Sequence, residues 1–246
     1  MIDNISVVII SKNAGETIKV TLDSLKDFEE VIVFDTGSID ETLNIIKSYP
    51  NTSTYTGKFH GFGDSKNYAV SLANNDWVLS LDSDESVSED LILDLKSIDL
   101  HLNLVGRATR KNFFMGREMI YGGWGRDKII RLFNRNDFNF SSLKVHEKVE
   151  IDSSAEIVNL NGFINHNSIY KLSQTLEKAN LYSDLYAEEN NKIYPLLIII
   201  IKVLFSFFRT YFLQKAFLAG WRGFVLSFSN AIGVFYKYMK IYVKNK

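Results

Sequence analysis

Three short polar runs are placed where they could do chemistry: Ser11-Lys12-Asn13, Asp35-Thr36-Gly37-Ser38 and Asp82-Ser83-Asp84. Two carboxylates at i and i+2 on a turn, as in Asp82 and Asp84, can hold a hard divalent cation and leave positions open for phosphate oxygens. A cation bridging a diphosphate neutralises charge that builds on a departing phosphate. Asp35 is suited to accept a hydrogen bond from the base or ribose of a nucleotide. Taken singly, Asp82-Ser83-Asp84 reads first as a solvated turn capping the next helix, and Asp35-Thr36-Gly37-Ser38 as an ordinary strand-to-helix turn. Their conjunction carries the signal, because each follows a short apolar run that reads as a strand.

Those runs alternate with helical patterns. Ile5–Ile10, Val31–Phe34, Thr52–Thr56 and Trp77–Leu81 read as strands, the third at an edge. Between and after them, Glu16–Leu25, Asp40–Tyr49, Asp64–Ala73 and Ser88–Ile98 carry apolar residues at helical spacing, and Pro50 stops the second helix. This alternation predicts an α/β fold, a mostly parallel sheet with helices on both faces. Such sheets bind ligands at the carboxyl ends of their strands, where the three polar runs fall. From Asn103 the pattern changes to strands at Leu104–Phe114, Lys128–Phe133 and Ala155–Leu160, joined by Gly-rich and Asn-rich turns, and then to a helix over Tyr170–Asn190.

The stretches ISVVIISKNAGETI, EVIVFDTGSIDET and GFGDSKNYAVSLANNDWVLSLDSDE resemble the donor half of inverting glycosyltransferase family 2. GGWGRDKIIRLFNR, LKVHEKV and NLNGFINHNS resemble more specifically the lipopolysaccharide-core β-1,4-glucosyltransferase branch. The resemblance covers nearly the whole chain. It implies a GT-A (Rossmann-like) fold, a UDP-sugar donor and a Mg2+ or Mn2+ ion. Position by position, Asp35 matches the uracil-binding aspartate, although Phe34-Asp35-Thr36 stands where Asp-Ser-Gly-Ser is more usual. Ser11 and Asn13 fall on the nucleotide side, Lys66-Asn67 matches a basic-Asn pair facing the nucleotide, and Asp82 and Asp84 match the metal motif, with Asp84 as the direct ligand.

Inversion requires a carboxylate on the acceptor side to take the hydroxyl proton. Glu147 and Asp127 are the two candidates. The family commonly places this carboxylate before a strand ending in a metal-binding histidine. Ile157–His166 fits that strand and favours Glu147, with His166 as third metal ligand; Asp127 follows the Gly122-Gly123-Trp124 loop expected to hold the acceptor. His146 fits an acceptor or phosphate contact, His60 a turn before Lys66, and His101 has no role. Trp124 either stacks on a sugar or packs in a core.

Composition bounds the rest. Apolar residues make up 46% of the 246 and charged residues 23%, enough for a filled core. With no cysteine, disulfides, thiolate metal sites and cysteine nucleophiles are excluded. The N-terminal MIDNISVVIISKN reads as a first strand, not a signal peptide. From Asn190 onward there is no acid and nine of the 28 basic residues, so the preceding 19 basic residues face all 29 acidic ones. The expected division is a glycosyltransferase domain over 1–190, with a donor half at 1–100 and an acceptor half at 101–190, and a helical tail over 191–246. In that tail Lys202, Arg209, Lys215 and Arg222 recur along an apolar stretch. They interrupt it before the roughly 20 residues a spanning helix needs and predict amphipathic helices lying on an anionic membrane surface. The tail is too apolar to track nucleic acid.

The expected function is transfer of a hexose, glucose, from a UDP-sugar to a lipopolysaccharide or lipooligosaccharide core. The expected place is the cytoplasmic face of a bacterial inner membrane, peripherally bound, with a lipid-linked oligosaccharide as acceptor. Another glycolipid, a capsule or a protein acceptor is an alternative, as is a nucleotidyltransferase, which would release pyrophosphate instead of UDP. A non-catalytic adaptor is a third, disfavoured by the intact donor-side carboxylates.

Overall fold

The computed structural model describes residues 1–142 and 147–245. The chain forms two compact units: Met1–Lys111 with Asp127–His166, and Asn112–Arg126 with Asn167–Lys246.

The first unit opens with alternation: β1 (Ile2–Ser11), α1 (Ile18–Asp23), β2 (Phe28–Asp35), α2 (Thr42–Ile46), β3 (Thr52–Thr56), α3 (Phe62–Ser71), β4 (Trp77–Asp82), β5 (Glu85–Val87) and α4 (Glu89–Ser97). Successive strand residues face opposite sides of a sheet, and β1 uses this to serve two cores. Ile5, Val7 and Ile9 pack with Ile18, Leu22, Ile46 and Leu91 from α1, α2 and α4. Val8 faces the other side, with Ile32, Phe34 and Val78, and meets Ala69 and Val70 of α3. Helices therefore cover both faces, as the alternation predicts.

β6 (Leu104–Phe114) turns into the short β7 (Arg117–Glu118); β8 (Asp127–Asn134), β9 (Asn139–Phe140), β10 (Val149–Glu150) and β11 (Glu156–Ile169) follow. Among the described residues the main sheet runs β3-β2-β1-β4-β8-β6-β11-β5, with β9 and β10 as a separate pair. β3, β2, β1 and β4 are parallel, whereas β8 is antiparallel to both β4 and β6. The expected strand Ala155–Leu160 is the first part of the 14-residue β11. Gly162 makes that length possible: at its φ of +83° a Cβ would lie 2.4 Å from the backbone nitrogen of Leu91. The close approach lets Ser88, the N-cap of α4, accept from the Phe163 N–H at 2.9 Å while its own N–H donates to the Phe163 carbonyl. β11 is thereby locked to β5, and His166 lies opposite Glu85.

The second unit contains α5 (Leu172–Glu189), α6 (Leu196–Phe208), a π-helical turn at Arg209–Leu213, a 3-10 turn at Ala216–Ala219 and α7 (Trp221–Lys244). The boundary differs from the expected one at residue 190. α5 belongs with the tail because Lys240 of α7 pairs with Asp184 at 2.6 Å and Lys237 lies over the Tyr186 ring. The loop after β6 belongs there too: Gly122 donates to the Gln214 carbonyl at 2.8 Å, and Arg222 donates to the Met115 carbonyl. Gly223 lets α7 pass the 3-10 turn, since a Cβ there would sit 1.7 Å from the Ala216 carbonyl oxygen. The apolar stretch is also less interrupted than the spacing of its basic residues implied. Leu196–Leu213 continues without a break through α6 and the π turn, 18 residues of mean hydropathy 2.1, long and apolar enough to cross a membrane by length and composition.

Candidate active site

The parallel register sets the donor side. Ser11 pairs with Asp35 and Ile10 with Asp82, so the ends of β2, β1 and β4 stand side by side. Asp35 is buried, and one carboxylate oxygen accepts from the Gly37 and Ser38 N–H groups at 3.0 and 2.8 Å, while the Ser38 hydroxyl donates to the other. Gly37 can adopt its φ of +102° without steric cost, which turns those amides back onto the strand end. Asn13 closes the edge from β1: its N–H donates to Ser38 Oγ at 2.8 Å and its Oδ1 accepts from the Ile39 N–H at 2.9 Å. Ser11 is buried and its hydroxyl has no hydrogen-bond partner among the described residues, a polar atom at the strand edge.

Asp82, at the end of β4, joins a network of charges. Lys66, buried on α3, places Nζ 2.8 Å from Asp82 Oδ1 and 2.7 Å from Glu147 Oε1. Arg131 of β8 donates to Asp82 Oδ2 at 2.9 Å and to both oxygens of Glu85 at 2.7 and 2.8 Å. Glu85 is fully buried, accepts from the Asp82 N–H at 3.1 Å and pairs with Arg110 at 3.2 Å. Burial opposes ionisation of Asp82, but Lys66 and Arg131 outweigh it and hold its carboxyl well below the usual carboxylate range. Burial likewise opposes the charge of Arg131, and Glu85 and Asp82 outweigh it, so its guanidinium is held charged more firmly than usual.

Beside this network, His166 Nε2 lies 3.4 Å from Asp84 Oδ2. Burial pushes the imidazole down, yet Asp84, with Glu85 behind it, raises it above its ordinary value. The structure thus brings together Asp82, Lys66 and Glu147 in one cluster and Asp84 with His166 in a neighbouring pair. Asn67 differs from its expected role: its amide donates to the Phe140 carbonyl at 2.9 Å and accepts from the Phe140 N–H at 2.8 Å, pinning β9 to α3. Asp127 pairs with Arg110, its register partner, at 2.6 Å.

Trp124 packs edge-on to Phe114 at 5.4 Å in the core of the second unit, which answers the core reading and not the stacking one. His60 is exposed, with its N–H on Ser65 Oγ at 3.3 Å, and His101 pairs with Glu156 at the surface. His146 lies outside the described residues. Glu85, Arg110 and Arg131 belong to the network around Asp82 and are passed over by motif reading. Arg131 had a visible signal, a guanidinium inside the apolar run Ile129–Phe133.

Among the described residues no group of three His, Asp or Glu side chains could by itself hold a metal ion. Asp82 is already neutralised by two cations, and Asp84 with His166 is the neighbouring donor pair. One carboxylate and one imidazole fit a divalent ion whose other positions are filled by diphosphate oxygens and water.

Residues 6–99 match the model of glycosyl transferase family 2. An uncharacterized glycosyltransferase of Rickettsia typhi is 28% identical, over 96% of this chain and 86% of its own length. The lipopolysaccharide core biosynthesis glycosyltransferase LpsC of Rhizobium meliloti is 24% identical over 98% of this chain and 93% of its own. Among solved structures, Staphylococcus aureus TarS 1-349 in complex with UDP-GlcNAc superposes with a TM-score of 0.49 at 16% identity, over 98% of this chain and 91% of that one. With the α/β architecture and the carboxylates gathered at its strand ends, these likenesses lead to one conclusion: the chain is a glycosyltransferase whose segment from β1 to α4 matches family 2.

Proposed function

We propose that the protein is an inverting hexosyltransferase that moves glucose from a UDP-sugar to a lipid-linked oligosaccharide of the lipopolysaccharide-core type. The observation that carries this reading is Lys66, whose ammonium is held between Asp82 on the donor edge and Glu147. A buried cation at the carboxyl end of β4 is suited to a diphosphate. The Asp35 carboxylate, ordered by Gly37 and Ser38, is suited to the N–H of a uracil. The LpsC relative, covered almost end to end, supports a lipopolysaccharide core as the acceptor class. A UDP-sugar donor implies the cytoplasmic face of the inner membrane as the place of reaction.

In the mechanism, Asp35 and the Ser11 edge bind the nucleoside while Lys66 faces the diphosphate. Glu147 takes the proton from the acceptor hydroxyl. The freed oxygen bonds to the anomeric carbon from the face opposite the UDP, and the bond to UDP breaks with its electron pair on the diphosphate. Lys66 offsets the charge that appears there. A Mg2+ or Mn2+ ion, held by Asp84 and His166, would supply further neutralisation of the departing diphosphate. Both candidates are ion-paired, Asp127 with Arg110 and Glu147 with Lys66; Glu147 is taken as the base because Lys66 joins it to Asp82 on the donor edge.

UDP release from a panel of UDP-sugars, with and without a lipid A–core acceptor and with Mg2+ or Mn2+, tests the reading. The expected result is acceptor-stimulated release from UDP-glucose that disappears in Asp84→Ala. Absence of release from every UDP-sugar, with folded protein and acceptor present, would overturn it.

A further inference from the structure

α6 and α7 form an antiparallel hairpin: Thr210 meets Asn230, Phe207 meets Phe224, and Lys202 lies over the ring of Tyr238. Only 11% of Leu196–Leu213 is buried by the protein. Leu197, Leu204, Phe205 and Leu213 are each more than half exposed, in a chain whose other long apolar runs are core strands. Nor does the exposed surface end with α6. Ring contacts run from Phe208 to Phe212, on to Tyr211, across to Phe224 and along α7 to Phe228. The result is one continuous aromatic and aliphatic patch over both arms of the hairpin, of a kind that marks an interaction site.

The cations of this segment fall into two groups. Lys237, Lys240, Lys244 and Arg222 serve the fold, on Tyr186, Asp184, the Ala187 carbonyl and the Met115 carbonyl. Lys202 is enclosed by Tyr194 and Tyr238. The abundance of basic residues is therefore mostly a packing feature. Arg209 and Lys215 are different: both are exposed and both stand on the apolar patch, where the hairpin turns. No acid lies between Asn190 and the C-terminus to pair with them.

A protein partner would have to bury this patch and neutralise both cations, whereas an anionic leaflet does both with one chemistry. Long basic side chains reach the phosphates while rings and aliphatic groups enter the acyl boundary. We infer that the α6–α7 hairpin lies in the plane of an anionic lipid leaflet, with Arg209 and Lys215 at the phosphates and the Leu204–Phe208 face in the acyl layer. An in-plane position keeps both cations at the headgroups while α7 stays on α5 through the Lys240–Asp184 pair and Lys237 on Tyr186, charges that a spanning hairpin would carry into the hydrocarbon. The inference stands on the helical unit alone and does not depend on which sugar is moved.

Trp221, 57% exposed at the start of α7, is a built-in reporter. The full chain is mixed with vesicles of phosphatidylcholine, with or without phosphatidylglycerol, and flotation and quenching by bromine-labelled phosphatidylcholine are recorded. Expected are flotation that is stronger with phosphatidylglycerol, and quenching that Trp221→Phe removes. Leu204→Glu with Phe208→Glu, both at exposed positions, should weaken vesicle binding by about tenfold or more. Arg209→Gln with Lys215→Gln should abolish the preference for phosphatidylglycerol. The inference is overturned if the chain does not float, if the Leu204/Phe208 variant binds as well as wild type, or if a lipid-free oligomer hides Trp221 and vesicles leave it unquenched. UDP release with a water-soluble acceptor reads the catalytic unit separately, so loss of that activity with vesicle binding intact counts against the proposed reaction only.

Discussion

Arg131 donates to both carboxylate oxygens of Glu85, at 2.7 and 2.8 Å, and the two side chains are 6% and 0% exposed. The pair ties β8 to β5 and, through the Asp82 N–H on Glu85, fixes the end of β4. Glu85 also faces Arg110, so one buried carboxylate balances two guanidiniums. Its neutralisation leaves Arg131 with Asp82 and Arg110 with Asp127, so that buried positive charge loses the carboxylate the two guanidiniums share. Glu85→Gln is expected to lower folding stability by about 3–5 kcal/mol, as for breaking other buried pairs from one side. Urea unfolding followed by tryptophan fluorescence measures this. A variant as stable as wild type would show that the network is not a structural hub.

The two base candidates separate by their partners. Glu147 shares Lys66 with Asp82, whereas Asp127 is 41% exposed and taken up by Arg110. Glu147→Gln is expected to lower kcat by about 10²–10⁴-fold, with UDP affinity by calorimetry little changed. Asp127→Asn should lower kcat far less. The reverse ranking would move the proton acceptor to Asp127.

Lys66→Met replaces the buried ammonium with an apolar chain of similar length. UDP affinity should fall by about tenfold or more, a loss of roughly 1.4 kcal/mol or greater. Uridine, which lacks the diphosphate, should bind wild type and variant alike. Equal loss for uridine and UDP would mean that Lys66 only supports the fold.

Why some of this was legible in the sequence has a physical answer. A parallel strand covered on both faces is a closed apolar run, and the first polar residue after it marks the ligand-binding edge. Asp35 and Asp82 were readable on that ground; the observed bounds of Thr52–Thr56 and Leu104–Phe114 also coincide with the expected ones. The Glu85–Arg131–Arg110 network was not, because β5, β8 and β6 meet through pairings far apart in the chain, and register of that kind leaves no periodic trace. Asn67 was read as facing a ligand when its partner is the backbone of β9, 73 residues on. The domain boundary was missed for a similar reason: α5 has an ordinary helical pattern, and only its packing on α7 assigns it to the tail.

Asp84 and His166 offer a test of the metal through protons. With the imidazole raised above 6.5 by Asp84, its protonated form persists further up the pH scale. In the metal-free protein the sign is fixed: a raised folded value contributes stability that is complete below 6.5 and is lost as pH rises through the raised value. A protonated imidazole cannot ligate, so binding of Mn2+ must release that proton. The affinity for Mn2+ is therefore expected to increase as pH rises from 6.5 through the imidazole's raised value and then to level off. Calorimetry in two buffers of different ionisation enthalpy counts the released proton directly. Asp84→Asn removes both a ligand and the group that holds the proton, so binding should weaken and its pH dependence should shift down toward that of an ordinary histidine. An affinity for Mn2+ in the wild type that is flat across this range would remove His166 from the ligand set, and the ion would then have to rest on Asp84 and the diphosphate alone.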